Sequence, residues 1–339
     1  MKKKLIKRIL LIIAIVIASL ALLAVIVPLF ISPSPLEDVV SVEEVQRNDS
    51  RFVTIPFEGT DGIEIHYREK GGADKDEPVF VLLHGSMYNL YSWDRVMDFF
   101  GSMGRVIAYD QVPYGLSEKM ISGDWSGANP YTQEAAVDQL VALLDEFDLD
   151  QVYLVGSSYG GTLAVRTALE HEERVAGMIL VDAAVFVSET MPEWLLESRQ
   201  MENIGPLFAR MMGNNVPFYE SCYADPAFFN GKRKEDTMIL TKVENWDAAL
   251  WQYLKAWGAE TYDFESRISS IDVPVLVISG SEDAIVPVED SVKLDRLLPE
   301  SKLEIINGAG HMPHEESPEK FIDIVTPWID EVINSEASL

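Results

Sequence analysis

Val152-Tyr153-Leu154-Val155-Gly156-Ser157-Ser158-Tyr159-Gly160-Gly161-Thr162-Leu163-Ala164-Val165 decides how this chain is read. A short apolar run enters a Gly-x-Ser-x-Gly pentapeptide, and a helix-forming stretch follows at once. A serine hydroxyl is a poor nucleophile until it sits on a sharp strand-to-helix turn, where the helix N-terminus points backbone N–H groups at the reacting oxygen. Glycines two before and two after leave room for that turn. The same frame centred on Ser157 puts Val155 and Tyr159 in the glycine positions, so Ser158 is the candidate nucleophile.

A serine nucleophile needs a base to take its proton and an acid to orient that base. A buried run at 274–279 leads into Gly280-Ser281-Glu282-Asp283, which places Asp283 on the loop past a strand's C-terminal end. The run 303–306 is followed by Asn307-Gly308-Ala309-Gly310-His311, which places His311 in a glycine-bordered loop at the same sheet edge. Asp182 also follows a strand and is the alternative acid, because geometry selects the acid of a triad. The other four histidines have plainer readings. His66 in a hairpin strand and His171 at a charged helix end read as surface or packing residues, and His84 reads as a ring bonded to neighbouring loops. His314 approaches the pocket but begins the lead into the final helix.

Attack on a carbonyl puts negative charge on its oxygen, which needs preorganised donors. Two backbone N–H groups fit by position: Tyr159, after the nucleophile at the helix N-terminus, and Ser86, after His84-Gly85 in the loop past the third strand.

The surrounding chain supplies the scaffold. Residues 51–57 and 63–68 flank Gly59-Thr60-Asp61-Gly62 and read as a hairpin. Short apolar or β-branched runs at 79–83, 106–109, 152–155, 178–181, 275–278 and 303–306 alternate with helical patterns. The plainest of these is 132–147, where Ala136, Leu140, Leu143, Leu144 and Phe147 recur at helical spacing. This order predicts an α/β fold with a mostly parallel sheet and helices on both faces. Between 186 and 264 the strand pattern stops and Trp194, Trp246, Trp251 and Trp257 gather, which reads as an inserted helical cap. Its basic run Lys232-Arg233-Lys234 reads as a solvated face.

The N-terminus carries Lys2, Lys3, Lys4, Lys7 and Arg8, then residues 9–27 without a charge. Those 19 residues span roughly 28 Å as a helix, near the hydrocarbon thickness of about 30 Å. A cleaved signal has a shorter apolar region and a small-x-small site. Ser19-Leu20-Ala21 lies in mid-run, and Ser32-Pro33-Ser34 is followed by Pro35. An uncleaved single-pass signal anchor is expected, the alternative being secretion after cleavage. Basic residues before the span and Glu37, Asp38, Glu43 and Glu44 after it put the N-terminus in the cytoplasm and the rest outside. Downstream of residue 8, 22 Lys plus Arg face 55 Asp plus Glu, a net charge of −33. Such a surface repels nucleic acid. Cys222 is the one cysteine, so no internal disulfide and no cysteine-based metal site exist.

From about residue 52 to 333 the chain resembles the α/β-hydrolase family, in its capped, serine-nucleophile branch of esterases, C–C bond hydrolases and perhydrolase-like enzymes. The resemblance rests on His84-Gly85, Asp110 with Tyr114-Gly115-Leu116-Ser117, the elbow with Gly161, Gly280 through Asp283 to Pro287, and Gly310-His311. It implies an eight-stranded sheet, a Ser158, Asp283, His311 triad, and no cofactor. Pro113 departs from the pattern where relatives carry glycine. The expected organisation is an anchor over 1–31, a linker over 32–50, a core over 51–185 and 265–335, and the cap over 186–264. The expected activity is a membrane-anchored serine hydrolase acting on a small or medium acyl substrate, a carboxylic ester, through an acyl-enzyme. C–C bond hydrolysis, amide or aminopeptidase hydrolysis, and ligand-binding signalling with little turnover are the alternatives.

Overall fold

Eight strands form one sheet: β1 (Arg51–Ile55), β2 (Ile63–Lys70), β3 (Val79–Leu83), β4 (Arg105–Tyr109), β5 (Val152–Ser157), β6 (Val175–Val181), β7 (Val275–Gly280) and β8 (Ser301–Ile306). The computed structural model describes residues 2–72, 77–186, 190–260 and 264–336. The strand order is β1-β2-β4-β3-β5-β6-β7-β8. β1 and β2 are the antiparallel hairpin, β2 pairs antiparallel with β4, and every later pairing is parallel. β5, β6 and β7 are buried at every residue, as strands covered on both faces must be. β8 closes the edge with partly exposed Lys302 and Glu304, charges that discourage a further strand from adding there.

The order places β3 between β4 and β5, so the chain leaves β3 to one side and later returns on the other. Loops leaving the carboxyl ends of β3 and β5 therefore lie side by side at the reversal, where open α/β sheets form their crevice. α1 (Lys2–Ile26) precedes the sheet, α2 (Gln133–Glu146) follows β4, and α3 (Tyr159–Glu170) leaves β5 with no intervening loop. Thr132 caps α2 by accepting the Ala135 N–H, and Leu140, Leu143 and Leu144 are buried on the face their spacing predicts. A helical insertion lies between β6 and β7, with α4 (Arg199–Gly213), α5 (Val216–Ser221), α6 (Gly231–Thr237) and α7 (Trp246–Ala259). α8 (Val288–Leu297) and α9 (Pro318–Glu336) complete the core.

Within α1 and the turn after it, the span Lys4–Phe30 holds an 18-residue window of mean hydropathy 3.4, none of which is buried, so it is long and apolar enough to cross a membrane. The segment after it lies partly against the protein: Val40 bridges Val243, and Arg47 reaches Asp94 at 2.7 Å and Asp236 at 2.6 Å.

Of the two roles open to His66, surface or packing, the structure shows packing, and Arg233 departs from its reading as part of a solvated face. His66 is completely buried, with Nδ1 2.6 Å from Asp110 and Nε2 2.8 Å from Ser50 Oγ. Arg233 is not solvated, because its guanidinium bonds the buried Glu315 carboxylate at 2.6 Å. The Val112–Pro113 peptide is cis. Asp110 organises this region, accepting the Leu90 N–H at 2.8 Å and the Leu116 N–H at 2.7 Å besides His66. Burial pushes the Asp110 pKa up, but the His66 ring and the backbone donors outweigh it and hold the carboxyl below its ordinary value. Asp110→Ala leaves His66 and two N–H groups without their acceptor. It is expected to cost about 3–5 kcal/mol of stability, measured as a fall in the urea midpoint.

Candidate active site

Ser158 is the N-cap of α3 at φ +52° and ψ −118°, a conformation that costs a non-glycine residue about 1–3 kcal/mol and persists only where surroundings enforce it. Its N–H donates to Val181 O at 2.9 Å, and its carbonyl accepts from Gly161 at 3.0 Å and Ala184 at 3.1 Å. The flanking glycines are required by close approach. A Cβ on Gly156 would lie 2.3 Å from Gly160 O, and one on Gly160 would lie 2.1 Å from Leu83 O. Ser157 is buried inside β5, so Ser158 alone stands at the turn.

Asp283 and His311 sit on the loops after β7 and β8. These are neighbouring parallel strands, so both loops open at one edge. His311 Nδ1 lies 2.7 Å from Asp283 Oδ2, with both side chains almost fully buried. Asp283 Oδ1 accepts the Ile285 and Val286 N–H groups at 2.7 and 3.0 Å, which leaves Oδ2 for the imidazole. The His311 N–H donates to Cys222 O at 2.9 Å, so the insertion holds the histidine loop. Glu316 pins the same junction, accepting from Gly310 N at 2.6 Å and Ala224 N at 2.7 Å. Neither anchor carried a sequence signal, because each joins residues that only the insertion's path brings together.

Asp182, the alternative acid, lies beside Asp283 but does not bond the imidazole. Its Oδ1 accepts from Ser279 Oγ at 2.8 Å and Gly280 N at 3.0 Å. Burial first, and then the Asp283 charge, raises its pKa well above the carboxylate range. One ligand atom each of Asp182, Asp283 and His311 lie within 4.8 Å of one another. The trio does not suit a cation, because Nδ1 is committed to Asp283 and Asp182 favours its protonated form.

Ser158 and His311 line one cavity of about 290 Å³, together with Ser86 and Tyr159. The Ser86 hydroxyl is 3.0 Å from Tyr253 OH. His84 holds this loop: Nδ1 is 2.8 Å from Gly85 O, and Nε2 accepts the Gln111 N–H at 2.9 Å. Burial lowers the His84 pKa and keeps it neutral. His314 is buried against Trp93 with ring centroids 4.3 Å apart, and burial pushes its pKa down to about 3. Cys222 lines the cavity, but burial pushes its thiol up to about 12, so it offers no thiolate. Met212, Phe218, Leu254 and Trp257 of the insertion supply the apolar roof.

A serine on a strained strand-to-helix turn, opening into the cavity that holds a carboxylate-bonded histidine, defines a serine hydrolase built on a mostly parallel sheet. The chain belongs to the alpha/beta hydrolase family, whose profile matches residues 80–324. Among curated relatives, a proline iminopeptidase of Lactobacillus helveticus (strain DPC 4571) is 28% identical over 295 residues, covering 80% of this chain and 95% of the relative. A 2-hydroxy-6-oxononadienedioate/2-hydroxy-6-oxononatrienedioate hydrolase of Burkholderia vietnamiensis (strain G4 / LMG 22486) is 26% identical over 312 residues, covering 85% and 98%. Among solved structures, a thermophilic esterase from Thermogutta terrifontis superposes with a TM-score of 0.65 at 23% identity, covering 83% and 99%. The chain is therefore a hydrolase of this fold, with an eight-stranded sheet and a helical insertion.

The raised Asp182 pKa has a consequence for stability. The folded protein binds that proton more tightly than the unfolded chain does, so stability falls as pH rises from about 4 toward the folded pKa. Asp182→Asn cannot titrate. Its unfolding midpoint in detergent is expected to change less with pH across that window than the parent's, and parallel curves would refute the assignment.

Proposed function

We propose that this chain is a membrane-anchored esterase that hydrolyses an uncharged acyl ester through an acyl-serine intermediate. Ser158 Oγ attacks the carbonyl carbon while His311 Nε2 takes its proton. Asp283, bonded to Nδ1, fixes the tautomer and stabilises the imidazolium that forms. The Ser86 and Tyr159 backbone N–H groups meet the oxyanion, each contributing about 3–4 kcal/mol to lowering the barrier. Collapse expels the alcohol, which takes the proton from His311. Water then attacks the acyl-enzyme with His311 again as base, releasing the acid and restoring Ser158.

The observation that carries the choice of substrate is the cavity wall. Apart from His311, no ionisable acid or base of the Asp, Glu, Lys or Arg type lines it among the described residues. A peptide's free amino terminus would need a carboxylate there, and a dicarboxylate would need a guanidinium or ammonium, because an unpaired charge is costly to bury. An ester with an apolar acyl chain needs neither. The sheet-and-loop core of 51–185 and 265–335 then carries the chemistry, the cap of 186–264 selects the acyl chain, and 1–31 is the anchor. Basic residues ahead of the span and acidic ones behind it favour a cytoplasmic N-terminus and an external catalytic domain.

With p-nitrophenyl butyrate, Ser158→Ala is expected to lose at least about 1,000-fold in kcat and Asp283→Asn about 10,000-fold. A fluorophosphonate should label the parent at Ser158, and turnover by Ser158→Ala equal to the parent's would remove the assignment. An ester of the same length ending in a carboxylate should show kcat/KM at least about tenfold lower, whereas equal or better turnover contradicts the uncharged-substrate reading. Protease added to intact cells should digest the catalytic domain, and its protection would reverse the topology.

A further inference from the structure

α4 has two opposed faces. Gly205, Ala209 and Gly213 recur every fourth residue and are buried, and the two glycines admit tryptophans of α7. A Cβ on Gly205 would lie 2.1 Å from the Trp251 indole, and one on Gly213 would lie 2.5 Å from Trp246. Leu207, Phe208 and Met211 of the same helix are 38, 42 and 59% exposed. Trp194 and Phe30, on turns packed against α4 or its neighbours, are 74 and 83% exposed. Large apolar groups gathered in this way mark an interaction surface.

The N-terminal segment identifies what covers it. α1 ends at the side of α4: Gln200 Nε2 donates to Val25 O at 3.3 Å, and Asn203 Nδ2 donates to Pro28 O at 3.0 Å and Leu29 O at 3.2 Å. The Arg210 guanidinium donates to Ser34 O at 2.6 Å. A bilayer crossed by Lys4–Phe30 therefore begins where α4 lies. Its headgroup and upper acyl layer is where an amphipathic helix buries such a face and where tryptophan collects. α4 also carries Met212, which lines the cavity of Ser158.

We infer that α4 docks into the interfacial layer of the bilayer that α1 spans, and that the substrate is a single-chain acyl ester dissolved in that leaflet. The substrate half rests on the esterase reading above. The cavity of about 290 Å³ is at the small end of ligand pockets and suits one chain rather than two. The docking residues are uncharged and the domain carries a charge of −33, counted from 22 basic and 55 acidic residues, so apolar burial rather than attraction to anionic headgroups drives contact.

Two measurements on the full chain in phosphatidylcholine vesicles separate the parts. A nitroxide on Met211→Cys, with native Cys222 buried, should be relaxed more by dissolved oxygen than by a water-soluble nickel chelate. The reverse order, as for a label on exposed Glu235→Cys, overturns docking in the bilayer. Protection from both agents points to contact with protein and overturns it equally. The variant Leu207→Ser/Phe208→Ser/Met211→Ser should hydrolyse monooleoylglycerol in the vesicles at least about tenfold more slowly and p-nitrophenyl butyrate in water within about twofold of the parent. Equal losses on both overturn access from the leaflet. A parent that cleaves neither ester defeats the esterase reading and the substrate half with it, while the nitroxide result still decides the docking.

Discussion

The backbone of Ser158 is the constraint on which the rest of this protein depends. β5 must become α3 within one residue, and a left-handed turn is the way to do it. Such a turn needs the α3 backbone pressed against Leu83 at the end of β3, which needs β3 and β5 adjacent, which needs the strand order to reverse there. The reversal in turn brings Gly85-Ser86 beside Ser158. Strain in one residue and the topology of the whole sheet are thus one arrangement, stabilised by the burial of every side chain of β5 and β6.

Electrostatics around the histidine follow the same economy. Two carboxyl groups buried side by side cannot both ionise cheaply. Asp283 Oδ1 accepts the backbone N–H groups of Ile285 and Val286, whereas Asp182 has one oxygen bonded and the other without a partner among the described residues. Burial and the neighbouring Asp283 raise the Asp182 pKa, and it is Asp283 Oδ2 that lies 2.7 Å from the imidazole. Asp182 holds the carboxyl end of β7 through Ser279 and Gly280, so the aspartate that does not bond His311 still fixes where the loop bearing Asp283 begins.

Much of this was legible in the sequence because it is local. The strands were visible as apolar runs at 79–83 and 152–155, α2 as a helical repeat, and the elbow as glycines at fixed distance from Ser158. The loops bearing Asp283 and His311 could be placed at strand ends, but two aspartates each follow a strand, and their separate environments exist only in three dimensions. His66 shows the limit well. Its alternation in β2 is ordinary, while its partner Asp110 is 44 residues away. Arg233 looked solvated for the same reason, since Glu315, which neutralises it, lies in a different part of the chain.

The insertion is held at two places, and they are of different kinds. Near the histidine it is fastened by directional bonds: Cys222 O to His311, Glu316 to Gly310 and Ala224, and Tyr223 OH to Glu315 at 2.7 Å. Glu315 is fully buried there, and burial raises its pKa to about 7 even though Arg233 pulls it down, so this fastening has a real desolvation cost and persists because its partners are in place. At α4 the insertion instead meets α1 and its following turn through side-chain amides on backbone carbonyls and leaves its apolar residues uncovered. Buried directional bonds fix a geometry, whereas uncovered apolar surface needs a partner. The roof over Ser158 is therefore held by directional bonds beside His311 and by the close packing of α4 on α7 where Met212 lines the cavity.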